Sequence, residues 1–349
     1  MVDSLHESLS ATRHAGHHHP RSRPGRVRGR RWHLEDVHHH LQYAVDIEMW
    51  TIPYYLSVMY SIKEFDEPAF RLIQSVVNQE MLHAQLAANV YNSFQPTEQL
   101  HIGPFEYVQV GQHGGVPHLD FDMDPDAMRK YGPPDARLGG LDLVRLGTMC
   151  LIELPESSPP PVDPNEEAYS TIGDFYEALR FGMRQHADAV RGNRNQVDYF
   201  KNFYRHLRYT TVTEDGPDGL DQALNLVEVI TEQGEGRTNT NGEIPAEYRN
   251  TADGYNTSSS HFQKFNSIRD AFLSGRAPDT YPADPNKKDT EPQLVLADNF
   301  AKLLASIQRL FNGSPDHDFG VLMPTVGANI LSCWLKGVVP QYAPSGSMA

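Results

Sequence analysis

Residues 71–94 constrain this chain most, because a strong helical pattern there carries two side chains that an apolar core does not accept unaided. Apolar residues recur every three or four positions in RLIQSVVNQEMLHAQLAANVYNSF, which predicts a long, buried helix. Glu80 and His83 lie on the buried stripe, and their i, i+3 spacing places them side by side. Burying a lone carboxylate is costly, and a bound metal ion would offset that cost. A single Glu-x-x-His more often meets solvent or a polar partner, so the other segments decide between the two interpretations.

A second glutamate lies at the matching height of the preceding helix. The apolar stripe of residues 32–63 predicts a first helix with Glu48 on its buried side, and Pro53 should bend that helix just after the glutamate. The acidic pair and the proline at 66–68 mark the next helix start, so the two helices should be antiparallel neighbours with a short connection. Glu48 and Glu80 then lie about 15 residues from the turn on either side, which at a rise of about 1.5 Å per residue places them level. This register strengthens the metal interpretation.

A third helix, predicted over residues 171–186, offers acidic side chains without deciding between them. Asp174 and Glu177 lie near its start. Thr171 and Asp174 also fit a capping box in which aspartate replaces glutamate. Both acids could bind a metal, and both equally suit the first turn of a helix, where the helix dipole favours negative charge.

Residues 219–236 predict a further helix that ends in a cluster of glutamates. Glu232 and Glu235 repeat the i, i+3 spacing of the Glu80 motif, although glutamates along one helix face usually meet solvent. His261 lies in the next predicted helix, on the side that carries its apolar residues. A lone core-facing histidine is more often held by polar neighbours than by a metal, so the role of these three residues depends on the rest of the site.

Charge, hydropathy and cysteine content restrict the partners and the compartment. A net charge of −15 argues against nucleic acid as the main partner. The chain has no run of about 18 apolar residues, the length that a membrane-spanning helix needs, so no membrane partner is expected. Its two cysteines, Cys150 and Cys333, lie in apolar stretches without a preceding signal peptide, which favours a reducing cytoplasm over a disulfide framework.

The pattern predicts one helical domain with tails and irregular insertions. Residues 1–31 are rich in Arg, His, Ser and Gly and are predicted to form a disordered basic tail. The helical domain is assigned to residues 32–337, with insertions rich in Pro, Gly and polar residues at about 95–140 and 237–257. Residues 338–349 are predicted to be a loose C-terminal tail.

These motifs, in this order, resemble the ferritin-like family. The resemblance covers roughly residues 33–337 and is carried by IEMWTIPYYLSVMYSI around Glu48, SVVNQEMLHAQLAANVYN around Glu80, and then LIELPE, TIGDFYEAL, ITEQGEG and SHFQKF. More narrowly, the motifs are similar to the iminophenylpyruvate-dimer-synthase-like branch of that family, which is found in natural-product pathways of the violacein type.

The resemblance implies an all-α fold: a four-helix bundle able to hold two metal ions, with long loop insertions and extra C-terminal helices. By matching position, the implied metal ligands are Glu48, Glu80, His83, Glu232 or Glu235, and His261. The carboxylate of the third helix stays open between Glu177, Asp174 and Glu153. The fourth helix departs from the usual Glu-x-x-His by carrying a second glutamate in its place, so the implied histidine is displaced beyond a loop to His261.

The function that the resemblance implies is O2-dependent oxidation by a cytoplasmic non-haem iron oxidoreductase. Carboxylates with one or two imidazoles suit Fe(II) and also Mn(II), so the expected cofactor is a pair of iron ions or an Fe/Mn pair. The expected partners are O2 and a small, amino-acid-derived substrate of natural-product biosynthesis, with a homo-oligomer or a biosynthetic partner enzyme as further candidates. The alternatives are a ferroxidase or other iron-handling protein, and a metal-free scaffold that assists a biosynthetic enzyme.

Overall fold

The structure is a computed structural model that describes most of the chain as helices joined by irregular connections. The described residues are 31–109, 115–123, 125–155, 163–236, 243–249 and 258–345. Most of the predicted basic tail, residues 1–31, lies outside this set, as do residues 346–349 and, apart from residues 243–249, the predicted insertion at 237–257.

The described residues form nine α-helices, in agreement with the all-α prediction. Their bounds are α1 (Leu34–Tyr60), α2 (Pro68–Ser93), α3 (Pro125–Tyr131), α4 (Leu143–Ile152), α5 (Ile172–Arg184), α6 (Gly216–Gly234), α7 (His261–Leu273), α8 (Glu291–Phe311) and α9 (Phe319–Leu335). None of the described helices is both long and apolar enough to cross a membrane.

Four of these helices form a closed bundle. Helix α1 packs against α2 and α5, and α6 packs against the same two helices from the other side. This arrangement confirms the predicted four-helix bundle. Helix α4 pairs with α7, and α7 also packs against α2 of the bundle. The extra C-terminal helices α8 and α9 pack on each other and reach α2 and α1, respectively.

The helix starts that matter for the site are set by local capping. Helix α2 begins with Pro68 in its first turn, as the sequence predicted. At α7, the Ser260 side chain accepts from the Gln263 N–H, and the Gln263 side chain accepts from the Ser260 N–H. This capping box makes His261 the first residue of α7, which directs it toward the bundle. At α5, Thr171 accepts from the Asp174 N–H at 3.0 Å, which is the threonine half of the predicted capping box.

The C-terminal segment packs on α1, which differs from the predicted loose tail. The Tyr342 hydroxyl is buried and donates to the Pro53 carbonyl at 2.9 Å, which also accepts from Ser57 Oγ at 2.8 Å. Val338 and Val339 are buried as well. Residues 338–342 therefore pack on the core, because an aromatic ring and two branched side chains gain more by burial than the short segment loses in freedom.

The predicted insertion at 95–140 is also tied to the core where the structure describes it. It contains the short helix α3, and its Phe105, Leu119 and Phe121 side chains are buried. Trp50 of α1 donates from Nε1 to the Glu106 carbonyl at 2.9 Å, which anchors the start of the insertion to the bundle.

Candidate metal centre

Three buried side chains bring possible metal-ligating atoms together inside the bundle. One atom each from Glu80, His83 and His261 lies within 4.8 Å of the other two. These residues are 1%, 2% and 0% exposed, respectively. Glu80 and His83 come from α2, and His261 comes from the first turn of α7, so the contact between these two helices assembles the group.

Glu80 lies between the two imidazoles. Its Oε1 is 2.8 Å from His261 Nδ1, and its Oε2 is 3.8 Å from His83 Nδ1. The two rings are stacked at an interplanar angle of 25°, with their centroids 5.2 Å apart. Thr51 of α1 donates from Oγ1 to Glu80 Oε2 at 3.0 Å and so fixes the orientation of the carboxylate. Glu80 is thus placed to serve two neighbouring positions at once.

A further carboxylate flanks each imidazole. Glu48 Oε2 of α1 lies 3.4 Å from His83 Nδ1. Glu153, the C-terminal cap of α4, places its Oε2 3.5 Å from His261 Nδ1. Each half of the group therefore has one carboxylate and one imidazole, with Glu80 shared between the halves.

A buried tyrosine holds each flanking carboxylate in place. The Tyr176 hydroxyl of α5 donates to Glu48 Oε1 at 2.5 Å, and the Tyr55 hydroxyl of α1 donates to Glu153 Oε1 at 2.7 Å. Burial, reinforced by the adjacent carboxylates, raises the pKa of both phenols well above the ordinary value, so both stay protonated donors. Each carboxylate keeps its second oxygen toward the imidazoles.

The pKa values of the group show that its buried carboxylates interact strongly with the positive charge beside them. Burial raises the pKa of Glu48 to about 7, although His83 beside it acts in the opposite direction. Burial also acts to raise the pKa of Glu80, but His261 and His83 outweigh it and hold that pKa well below its ordinary range. Burial alone would lower the pKa of His83, whereas the neighbouring carboxylates of Glu48 and Glu80 raise it to about 10. A divalent cation bound here would take the place of the His83 proton.

The hydrogen bonds of Gln233 orient the His83 ring. Gln233 Nε2 donates to the Tyr248 carbonyl at 2.5 Å, which leaves its Oε1 to accept from His83 Nε2 at 2.9 Å. His83 Nε2 must therefore carry a hydrogen, and Nδ1 is the atom that faces Glu48 and Glu80. A partner that holds the outer nitrogen in this way is the usual support of a metal-binding histidine.

His261 provides the clearest sign that the group suits a metal. Its ring is fully buried, and within the described part of the chain neither ring nitrogen makes a hydrogen bond. Nδ1 is close to Glu80 and Glu153, but the angles are not those of a hydrogen bond. Buried polar atoms are normally satisfied, and an ion between the carboxylates and the ring would satisfy this one. The donor set of carboxylate oxygens and imidazole nitrogens fits Fe(II) or Mn(II).

Two further predicted ligands, Glu232 and Glu235, lie at the end of α6. Both are buried there. That end borders the group, because Gln233 contacts His83 and a Cβ added at Gly234 would lie 3.2 Å from Glu153 Oε2.

Glu177, the first choice for the third helix, lies apart from these contacts. Its partly exposed carboxylate accepts from Arg180 Nη1 at 2.5 Å, and Arg180 also donates to Thr231. Asp174 is buried in the first turn of α5. Of the three alternatives, Glu153 is the one that the structure places beside an imidazole of the group, that of His261.

Several supporting residues have no signal in the sequence. The sequence pattern predicts ordinary aromatic core positions for Tyr55 and Tyr176, and an ordinary helical position beside Pro53 for Thr51. Gln233 lies inside the glutamate cluster of α6, and that position is the one hint that it belongs to the site.

The helical fold agrees with what comparison with other proteins finds. A family model described as ferritin-like matches residues 41–270 of the chain. The crystal structure of a ferritin-like protein from Caulobacter vibrioides matches with 38% identity and a TM-score of 0.75, over 90% of this chain and 99% of that one. No curated protein matches the chain in sequence. The chain therefore belongs to the ferritin-like family, whose bundles include di-iron carboxylate proteins.

Proposed function

We propose that the chain holds two metal ions, preferentially iron, and uses them to oxidise a small organic molecule with O2. The observation that carries the proposal is the convergence of Glu80, His83 and His261 within 4.8 Å, with both nitrogens of the buried His261 lacking a hydrogen bond among the described residues. Bound iron would supply the ability to react with O2.

The arrangement of the carboxylates supports a pair of ions rather than one. Glu48 with His83 would hold one ion, and Glu153 with His261 would hold the other. Glu80 lies between the two imidazoles and would contact both ions. Glu232 and Glu235, buried at the adjacent end of α6, are the remaining proposed ligands.

The surrounding residues would keep the ions in a dry, fixed setting. Tyr55 and Tyr176 orient the two flanking carboxylates, and Thr51 orients Glu80. Buried hydrogen bonds of this kind hold ligands to a geometry that suits the ion and limit the access of water. The substrate class is proposed from the sequence resemblance alone: a small, amino-acid-derived molecule of natural-product biosynthesis.

The test is metal binding by the full-length chain under anaerobic conditions, followed by exposure to air. To prevent metal binding by the N-terminal histidines, His17, His18 and His19 are replaced by alanine in every sample. The parent should bind about two Fe(II) per chain and consume O2 when exposed to air. His261→Ala should lose at least one of these ions and keep the helical content, whereas the exposed His39→Ala should behave as the parent.

The outcomes separate the candidate functions. Unchanged stoichiometry in His261→Ala would show that iron binds elsewhere and would refute the proposed centre. Uptake of many irons per chain into a large shell, without oxidation of any organic compound, would support iron storage instead. A parent that binds no metal at all would leave the bundle as a scaffold.

A further inference from the structure

The chain carries an abrupt change of charge between two consecutive segments. Residues 184–208 contain six Lys and Arg against two Asp, a net charge of +4. Residues 209–236 contain seven Asp and Glu and no Lys or Arg, a net charge of −7. In a chain of net charge −15, the first segment is a local exception.

The two segments form neighbouring surfaces of opposite sign. The basic loop is defined by the exposed side chains of Arg194, Lys201, Arg205 and Arg208. The acidic face is defined by those of Glu214, Asp215, Asp218 and Asp221, at and just before the start of α6. Arg208 and three of these acids line the same open cavity of about 680 Å³, so the two surfaces meet along its rim.

Among the described residues, two arginines of the basic loop, Arg205 and Arg208, make no ion pair with the acidic face beside them, whereas Lys201 pairs with Asp198 at 3.3 Å. Arg205 donates from Nε to the Asn202 carbonyl, and the Arg208 guanidinium lies over the Tyr209 ring at 4.9 Å. Within residues 163–236, all of which the structure describes, no ion pair joins either arginine to the acids of the acidic face. Neighbouring charges that do not pair within one chain can pair with the same surface of a second chain.

Aromatic side chains in the basic loop add contact area of the kind found in protein interfaces. Tyr199 is 46% exposed and Phe203 is 52% exposed. Tyrosine, phenylalanine and arginine are enriched at the cores of protein interfaces, and all three occur here together.

The loop is held firmly on α2, so it would lose little freedom on binding. Asn89 donates to the carbonyls of Val197 and Thr210 at 2.7 and 2.8 Å. Gln85 Oε1 accepts from the Tyr199 N–H at 2.7 Å, and the Tyr204 hydroxyl donates to a carbonyl of α2 at 2.9 Å. A surface that is ordered before binding associates at a lower entropic cost.

We propose that the basic loop and the acidic face together form the surface through which two copies of this chain pair about a two-fold axis. Under that symmetry, the basic loop of each copy faces the acidic face of the other, so one set of residues makes the contact twice. A second copy fits better than a nucleic acid or an anionic membrane, because the adjacent acidic face would repel either polyanion. The inference goes beyond the proposed function and does not depend on any metal.

The test compares two reciprocal charge reversals by sedimentation of the full-length chain. Arg205→Glu with Arg208→Glu reverses the basic loop, and Asp218→Lys with Asp221→Lys reverses the acidic face. The unmodified chain should sediment at about twice its mass of 39.3 kDa at low salt, and high salt should weaken the dimer. Each reversal alone should weaken dimerisation by about 100-fold or more, because like charges then face each other.

Mixing the two reversed chains provides the decisive result. The equimolar mixture should restore a dimer made of one chain of each kind. The two reversed surfaces meet at one contact and the two unmodified surfaces meet at the other, so both contacts join opposite charges. The control is Lys287→Glu with Lys288→Glu, an exposed pair whose reversal gives the same net charge as the first variant; it should dimerise normally. Circular dichroism confirms the fold of each variant.

Three results would overturn the proposal. These are a monomeric parent, a dimer that survives both reversals, and two folded reversed chains that fail to pair with each other. Binding of a duplex oligonucleotide or of anionic vesicles to the parent, with loss in the basic-loop variant and no dimer, would assign the loop to a polyanion instead.

Discussion

Replacing Tyr55 with phenylalanine should remove one hydrogen bond from the candidate metal centre and leave the aromatic packing in place. The Tyr55 hydroxyl donates to Glu153 Oε1 at 2.7 Å, and its ring contacts those of Phe265 and Tyr54 with centroids 5.0 and 6.1 Å away. Phenylalanine keeps these ring contacts. The carboxylate loses a donor that water cannot readily replace, because Glu153 is 2% exposed.

The charge of the acceptor sets the expected loss of stability, and the position of Glu153 beside His261 sets the expected loss of Fe(II) affinity. A hydrogen bond to a charged group contributes about 1.5–3 kcal/mol, so the free energy of unfolding of Tyr55→Phe should fall by about 2 kcal/mol. Loss of a group that orients a metal ligand typically lowers metal affinity by about 10–100-fold. We therefore expect Tyr55→Phe to bind Fe(II) at least about tenfold more weakly than the parent.

Tyr54→Phe is the matched control for this experiment. The Tyr54 hydroxyl is also buried, but it donates to the Asp135 backbone carbonyl at 2.8 Å, a neutral acceptor outside the metal-ligand group. This variant should lose about 1 kcal/mol of stability and keep the parent affinity for Fe(II). Denaturant unfolding measures the stability of both variants, and anaerobic titration calorimetry measures their Fe(II) affinity. Equal Fe(II) affinities in the two variants would refute the role of Tyr55 in orienting a metal ligand.

Two further expectations concern the stability of the fold. Gly182→Ala should lower the free energy of unfolding by about 1–3 kcal/mol, because the new Cβ would overlap the buried Trp32 ring. Gly320→Ala, with open space at its Cβ, should be neutral or slightly stabilising in the same thermal unfolding assay. Burial acts to raise the pKa of Asp135, but the hydrogen bonds from Arg137 outweigh it and hold the pKa below its ordinary value. The contribution of Asp135 to the free energy of unfolding is therefore present above the unfolded pKa of about 3.9 and is lost as pH falls through the folded pKa. The parent should therefore lose more stability than Asp135→Asn between about pH 5 and pH 3, and parallel curves for the two proteins would contradict this assignment.

The positions of the main helices and the register of the first two could be read from the sequence. The second helix starts at Pro68 as predicted, and Glu48 and Glu80 both lie against His83 as their spacing from the turn required. These features depend on the spacing of apolar residues within each helix and on the short connection between the two helices, and both can be read from residues close together in the chain. The core-facing position of His261 was readable for the same reason.

The third-helix carboxylate could not be read from the sequence. Glu177 and Glu153 are both acidic residues near apolar helices, and nothing local distinguishes them. The structure joins Glu177 to Arg180, whereas the packing of α4 on α7 carries Glu153 to His261. The choice depends on which helices touch, and that is decided by the whole core.

The sequence by itself thus determined the main helices and the level placement of Glu48 and Glu80, because both follow from helical geometry over short distances along the chain, and its resemblance to a known family implied the bundle. Only the tertiary structure decided which groups complete and hold the site. Tyr55 lies 98 residues from Glu153, and Tyr176 lies 128 residues from Glu48. Contacts over such separations form when helices pack, and they are chosen by the fit of the entire core rather than by any local pattern.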